Sequence, residues 1–248
     1  MKSVITYIDD LTLIRPENTL KATLCYCYLA STTNYDEPIQ HLHHQECREY
    51  KTLKVTRRIR SFLVGRLAAK QAVAALTGEK ELNGILIQSG VFSQPVVICE
   101  KRNTQVSITH CEDYGMAIAF PEVHPMGIDL EKIDPLKRDV LAGQITAFEN
   151  TLIVPAVIQY DVGLALLWTA KEALSKVLKT GLMTPFELFE VAKINFCENF
   201  ITCYYKNFSQ YKAISFSIGK YMCSIVYPLK TDLRIDIQSF KNHHKKYS

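Results

Sequence analysis

Apolar residues recur with period two through most of the chain and with period 3.6 in two places. Residues 2–30 read as strand and turn, with Leu24-Cys25-Tyr26-Cys27-Tyr28-Leu29 as a β-rich run. Residues 31–46 are polar and turn-like. Ile59, Leu63, Leu67 and Ala74 share one helical face and predict a helix over 57–76, stopped by Thr77-Gly78. Short strands are expected at 84–89, 95–100, 105–110 and 116–120, and residues 121–125, with a proline at each end, read as a linker. A strand follows at 126–133, then irregular or helical pieces over 134–167, and a helix over 166–179 stopped by Thr180-Gly181. Strands are expected at 187–194, 200–205, 212–218 and 221–227. Both halves run helix first and then several strands. The expected fold class is α+β, with two similar α+β lobes, 1–122 and 123–248.

Composition narrows the class. With 248 residues, 48% of them hydrophobic, the chain can bury a full core and is not a disordered polymer. Lys and Arg number 29 against 25 Asp and Glu, a net charge of +4. That excess does not call for nucleic acid; it suits a groove for an anionic ligand. Eight cysteines form no CxxC pair, and most lie inside apolar runs, which reads as a reduced, cytoplasmic protein. Asp9 and Asp10 interrupt any signal peptide. Pro155, Gln159 and Asp161 break the best apolar run, so no membrane span is expected. The basic tail 241–246 reads as a frayed terminus. His41, His43, His44 and Cys47 fit no common zinc spacing and read as a surface loop.

Two stretches carry candidate chemistry. In Met126-Gly127-Ile128-Asp129-Leu130-Glu131 the strand alternation sends Met126, Ile128 and Leu130 to the core and Asp129 and Glu131 together to the other face. Two carboxylates aimed at one spot repel unless a proton or cation lies between them. Hard oxygens at this spacing suit Mg²⁺; a wet sheet face would look the same. In Trp168-Thr169-Ala170-Lys171-Glu172-Ala173-Leu174-Ser175-Lys176, an apolar stripe of Ala170, Ala173, Leu174, Val177 and Leu178 opposes a polar one of Lys171, Glu172, Ser175, Lys176 and Lys179. Glu172 and Lys176, four apart, are neighbours on the helix, as in many solvated ion pairs. Trp168 reads as core packing.

Together these stretches resemble the two signature motifs of the 4′-phosphopantetheinyl transferases of the surfactin-synthetase type, G-[IV]-D-x-E and [WF]-[STC]-x-K-E-[AS]-x-x-K. Every defined position is filled, and Asp129 and Glu172 stand 43 residues apart, the expected gap. Upstream, Arg58, Phe62, Leu63, Gly65 and Arg66 look like the family's R-x-x-x-F-L-x-G-R helix. Ser93-Gln94-Pro95 takes the place of its [GS]-K-P turn, and Val106-Ser107-Ile108-Thr109-His110-Cys111 that of its N-[IV]-S-H-S strand. Gln94 replaces a lysine, Thr109 keeps a hydroxyl where serine is usual, and Cys111 replaces the last serine.

The resemblance implies transfer of the 4′-phosphopantetheine arm of coenzyme A to a serine of an apo acyl or peptidyl carrier protein, with adenosine 3′,5′-bisphosphate released. It implies Mg²⁺, with Mn²⁺ as a substitute, held by Asp129, Glu131 and Glu172. Glu172 and Lys176 would be catalytic, Glu172 as base directly or through water and Lys176 on the pyrophosphate. Arg58, Arg66, Thr109, His110, Asp129, Lys171 and Lys176 would contact coenzyme A, Lys171 also neutralising nearby acids and Lys70 contributing less. It further implies a monomeric pseudo-dimer with the active site in the cleft between its lobes. The carrier would dock beside residues 134–167, in polyketide or non-ribosomal peptide synthesis. Two other readings stand beside it. One is an inactive carrier-binding relative, against which the intact Asp129, Glu131, Glu172 and Lys176 speak. The other is a metal-dependent nuclease, against which the adjacent helical Lys171-Glu172 speaks.

Overall fold

A computed structural model of the chain describes residues 4–30, 34–99 and 103–245. The ends of expected elements at residues 2–3, 31–33, 100 and 246 lie outside the described residues. The fold mixes helices with three sheets, and its contacts divide the chain into two compact units. One comprises Met1–Pro125 with Asp232–Ile235, the other Met126–Thr231 with Asp236–Ser248.

The first unit opens with a long antiparallel hairpin, β1 (Val4–Ile14) and β2 (Thr19–Leu29). Helices α1 (Asp36–Gln40), α2 (His44–Thr52) and α3 (Thr56–Thr77) follow. Strands β3 (Leu86–Ser89) and β4 (Pro95–Ile98) make a separate hairpin, and β5 (Thr104–Cys111) and β6 (Tyr114–Pro121) complete the main sheet. Its order runs β1-β2-β6-β5, with the short return strand Asp232–Arg234 outside β1. Helix α3 lies on β2, β5 and β6. Its Leu63, Leu67, Ala68 and Ala72 pack into a core with Cys25, Cys27, Ala117 and Ala119, so small residues on both sides let helix and sheet approach. Gly115 marks the closest point, where an added Cβ would stand 2.6 Å from the Val64 carbonyl oxygen. Gly78, at φ +74°, ends the helix at the expected place.

The second unit opens with β7 (Gly127–Lys132), then α4 (Arg138–Ala142), α5 (Ala147–Leu152) and α6 (Tyr160–Leu178). Strands β8 (Val191–Phe196), β9 (Ile201–Tyr205), β10 (Tyr211–Ile218) and β11 (Tyr221–Pro228) build a sheet of order β7-β11-β10-β9-β8. The return strand is β12 (Asp232–Arg234), and α7 (Ile237–Lys245) closes the described chain. Leu166, Leu167, Ala170, Ala173 and Leu174 of α6 sit in the core with Val191, Cys203, Ala213, Met222 and Val226 of the sheet.

Several expectations change. The polar stretch 31–46 contains α1 and the start of α2, so the His41, His43, His44 and Cys47 cluster lies around a helix start. His43 caps α2, its ring accepting from the Gln45 amide. Helix α6 begins at Tyr160, six residues before the apolar stripe announces it. Gly163 interrupts that stripe because Ile153 fills the place of a side chain, 2.6 Å from where a Cβ would stand. Residues 186–189 form a 3-10 turn and β8 starts only at Val191. As far as Lys245 the basic tail is helical rather than frayed: α7 buries Ile237, Phe240 and His244.

Each unit holds one buried carboxylate at the third position of a short helix, and its ammonium partner comes from the long helix. Glu46 receives Lys70 (2.7 Å) and the amides of His43 (2.8 Å) and Ile87 (3.1 Å). Glu149 receives Lys171 (2.8 Å) and the amides of Thr146 (2.8 Å) and Val191 (2.9 Å). In both cases one carboxylate ties a helix start, a long helix and the strand after it. Saturated hydrogen bonding makes such buried ion pairs tolerable.

Gly127 sets how close α6 comes to β7: a Cβ there would stand 2.1 Å from the Ala173 carbonyl oxygen. Gly127→Ala is expected to lower unfolding free energy by about 2 kcal/mol or more, the scale of an overpacked core, read from urea midpoints. A change within about 0.5 kcal/mol would mean that helix and strand are not locked at this contact.

Candidate functional site

Two groups of candidate residues emerge, one in each unit. In the second, the strand alternation of β7 puts Gly127, Asp129 and Glu131 on the face against which α6 packs, as the Gly127–Ala173 contact requires. The acidic face is therefore not a wet one. Asp129 is buried, and so are Ile128 and Leu130 on the opposite face. Lys176, from the last turn of α6, donates to Asp129 Oδ1 (2.7 Å) and to the Ile128 carbonyl (2.9 Å). Glu131 lies nearer the surface and accepts from Lys137 (2.9 Å).

Glu172 lies one turn before Lys176. Its carboxyl is pushed up from 4.5 to about 7, first by burial and then by the negative charge of Asp129. Lys176 pulls the other way, and Glu131 adds a smaller upward push. Asp129, Glu131, Glu172 and Lys176 thus share one electrostatic neighbourhood.

A buried hydroxyl chain runs beside them. Ser224 of β11 stands opposite Asp129 in the β7–β11 register. Its Oγ lies 2.7 Å from Thr169 Oγ1 on α6 and 2.7 Å from Ser215 Oγ on β10. These contacts fasten the helix that bears Glu172 to the sheet that bears Asp129. Trp168 packs as expected, stacked on Phe186 with ring centroids 4.8 Å apart.

Lys171 does not join this group. Its side chain is wholly buried, donating to Glu149 and to the Gln144 carbonyl (3.0 Å). A ligand contact needs an accessible ammonium, so its role is the neutralisation of Glu149. Ser175, on the same polar stripe, is also buried.

The first unit holds a cavity of about 690 Å³ between the early turns of α3, the β3–β4 hairpin and β5. Arg57, Arg58, Ser61 and Arg66 line one wall, Gln88 and Ser89 another, and Ile108 and His110 the floor. Three arginines and a histidine with no carboxylate in the lining give the cavity a chemistry that suits an anion. Gly65 keeps the helix near the floor: a Cβ there would touch Ile108 Cγ2 at 3.4 Å. Arg66 stands 5.0 Å from the Phe62 ring, with Glu46 and Glu49 each 3.5 Å from its nitrogens. The structure thus brings Arg58, Arg66 and His110 together. Thr109 points to the opposite face of β5, is buried, and does not line the cavity.

Lys70 is buried on Glu46 and on the Leu82 and Ile85 carbonyls, away from the cavity. Gln94 serves the fold of the hairpin. Its Oε1 accepts from the Phe92 amide (2.9 Å) and closes the β3–β4 turn, where Ser93 takes φ +62°. Sequence reasoning missed Arg57, Gln88 and Ser89 in the wall. Arg57 had a signal, its place beside Arg58; the strand residues had none.

Carboxylate oxygens around a raised Glu172 are the donor set a hard divalent cation prefers, and such a cation would relieve the repulsion there. Among the described residues, no group of three or more His, Cys, Asp or Glu side chains is drawn together as a ready cage. Asp129 and Glu131 are instead turned to Lys176 and Lys137. The residues fit the ion in chemistry, with lysines to be displaced or shared. No described helix is long and apolar enough to cross a membrane.

Residues 125–226 match the family model of the 4′-phosphopantetheinyl transferase superfamily. The match takes in β7 and α6, and hence Asp129, Glu131, Glu172 and Lys176. It assigns no subfamily, and it leaves the first unit outside. Comparison with curated proteins gave no match.

The Glu172 shift has a signed consequence. The unfolded chain ionises this group near pH 4.5, while the folded chain keeps its proton to about 7. Between those values the folded state binds more protons, so stability falls as pH rises, by up to about 3 kcal/mol in all. Glu172→Gln removes that slope. Urea midpoints at pH 5 and pH 7.5 should therefore show the variant gaining on the wild type at the higher pH. Equal pH dependence in both proteins would refute the raised carboxyl.

Proposed function

We propose that the chain is a 4′-phosphopantetheinyl transferase that uses coenzyme A and a divalent cation, Mg²⁺ or Mn²⁺, to load a carrier-protein serine. The observation that carries this reading is the part-buried Asp129–Lys176 pair beside a Glu172 carboxyl raised to about 7, inside the segment matched to that superfamily. The two units are read as copies of one α+β plan, a pseudo-dimer in a single chain, supported by the like order of β2-β6-β5 and β7-β11-β10 beside a long helix and by their matching Glu–Lys pairs. The setting is read as cytoplasmic from the unpaired, mostly apolar placement of the cysteines, and the carrier as one of polyketide or non-ribosomal peptide synthesis from the resemblance alone.

Asp129, Glu131 and Glu172 are the residues that would hold the cation, and Mg²⁺ bound there would stabilise charge developing on the leaving phosphate. Lys176 places a point charge beside the same acids and would meet the pyrophosphate. Glu172 is also the candidate to take the proton from the serine hydroxyl, directly or through a water. Burial of Asp129 and Glu172 keeps bulk water from screening these charges. Arg57, Arg58 and Arg66 supply the cations that the phosphates of coenzyme A need, His110 lies on the same cavity floor, and Phe62 and Ile108 offer apolar surface to its nucleoside. Phosphoryl transfer depends chiefly on such positioning and charge compensation. An inactive carrier-binding relative would have no need of the raised Glu172 and its neighbouring acids.

The test is transfer itself. Protein, coenzyme A, Mg²⁺ and apo carriers of several kinds should give a mass gain of one phosphopantetheine on the carrier serine. EDTA should abolish it. Asp129→Ala and Glu172→Gln should each lower kcat/KM at least about 100-fold, the scale of losing a charge-stabilising group, with thermal unfolding still cooperative. Full activity in both variants would exclude the assigned acids, and no gain with any carrier would exclude the activity.

A further inference from the structure

We propose that Glu46 is a positioning residue for the arginine cavity, acting through Arg66 while Lys70 cancels its charge. The inference rests on the transferase reading, in which that cavity takes the phosphates of coenzyme A. Glu46 is almost fully buried, at 1% exposure, on α2 and outside the cavity lining. Its two oxygens are divided. One accepts from Lys70 and the His43 amide. The other accepts from the Ile87 amide at 3.1 Å and faces Arg66 Nε at 3.5 Å. Ile87 immediately precedes Gln88 and Ser89, which form a cavity wall, and Arg66 forms another. One carboxylate therefore touches the backbone behind one wall and the side chain of the next.

The charge arithmetic favours a positioning role. A lone carboxylate behind Arg66 would spend the guanidinium charge on itself and weaken its pull on an anion. Lys70, wholly buried, restores the balance behind the guanidinium: Glu46 and Lys70 sum to zero, and the one acid still drawing on Arg66 is the exposed, solvent-screened Glu49, 3.5 Å away. The 3.5 Å separation orients the guanidinium without a saturated ion pair, and Phe62 braces its face at 5.0 Å. The second unit uses the same three-way joint at Glu149, Lys171 and Val191, with no arginine added. The joint alone is thus a structural device, and in the first unit Arg66 is attached to it.

Replacing Glu46 alone would leave a buried ammonium unpaired, so the decisive variant is the double one, Glu46→Gln with Lys70→Met. It keeps an acceptor for the Ile87 amide and leaves the net charge behind Arg66 at zero. Calorimetric titration of coenzyme A into the full chain, without metal, should show about tenfold weaker binding than wild type, the scale on which outer partners of a bound group act. The melting temperature should stay close to wild type, and in the transfer assay KM for coenzyme A should rise with kcat little changed. In an Arg66→Ala background the double change should cost nothing further, because the group it orients is gone. Wild-type affinity in the double variant would overturn the inference, and so would an equal loss with and without Arg66. A wild type that does not bind coenzyme A would overturn the transferase reading itself, a different result from an affinity that Glu46 fails to alter.

Discussion

The Ala173 carbonyl of α6 stands where any side chain at position 127 would have to be. This close approach of helix to strand is the constraint on which the second unit's chemistry depends. With α6 lying on β7, the acids on the Gly127 face of the strand come under the polar residues of the helix. Lys176 reaches both Asp129 and the Ile128 carbonyl, and Glu172 feels the charge of Asp129 directly. A helix held farther off by a methyl group would lengthen all of these contacts. The hydroxyl chain of Thr169, Ser224 and Ser215 serves the same closeness, because buried polar groups on helix and sheet satisfy one another there.

Two kinds of buried acid coexist in this fold, and their partners separate them. Glu46 and Glu149 each accept from one ammonium and two amides, which is what a structural carboxylate needs in a dry place. Glu172 has burial and two negative neighbours against the single pull of Lys176, and its carboxyl rises accordingly. Half-buried carboxylates whose charge is poorly compensated are costly to stability, so a fold that keeps one within the field of Asp129 points to a use for it. The arginine cavity has the converse imbalance, cations in its lining without acids among them.

Much of this was legible in the sequence. The period-3.6 stripe located α3 and most of α6, and Gly78 marked a helix end through its left-handed conformation. The strand alternation put Asp129 and Glu131 on one face. The short helices α1 and α2 were not legible as helices, and α4 and α5 only as irregular or helical pieces, because five to nine residues carry too little periodicity and owe their form to tertiary contacts. A capping pair did stand in the sequence, Thr146 with Glu149, and it is the motif that starts α5. Lys171 keeps its expected role of neutralising an acid but not its expected contact with coenzyme A, for a physical reason. A polar stripe reads as solvated unless a buried partner is known, and Glu149 comes from 22 residues upstream. Thr109 follows from alternation once His110 is assigned to the cavity: two successive strand residues cannot line one wall.

The buried lysines also give a common origin from which to compare the two long helices. Twelve and four residues before Lys70 stand Arg58 and Arg66; at the same offsets before Lys171 stand Gln159 and the buried Leu167. One and five residues after Lys171 stand Glu172 and Lys176; at those offsets after Lys70 stand Gln71 and Ala75. Helix α3 therefore carries cations where the second unit has an N-cap glutamine and a core leucine, and the late turns of α6 carry the acid and lysine where α3 carries neutral residues. If one plan underlies both units, the Glu–Lys joint is what it retained, since losing either member would strand a buried charge. The helix ends beyond the joint were under no such restraint. They are where the two units diverge, one toward binding an anion and the other toward holding a cation.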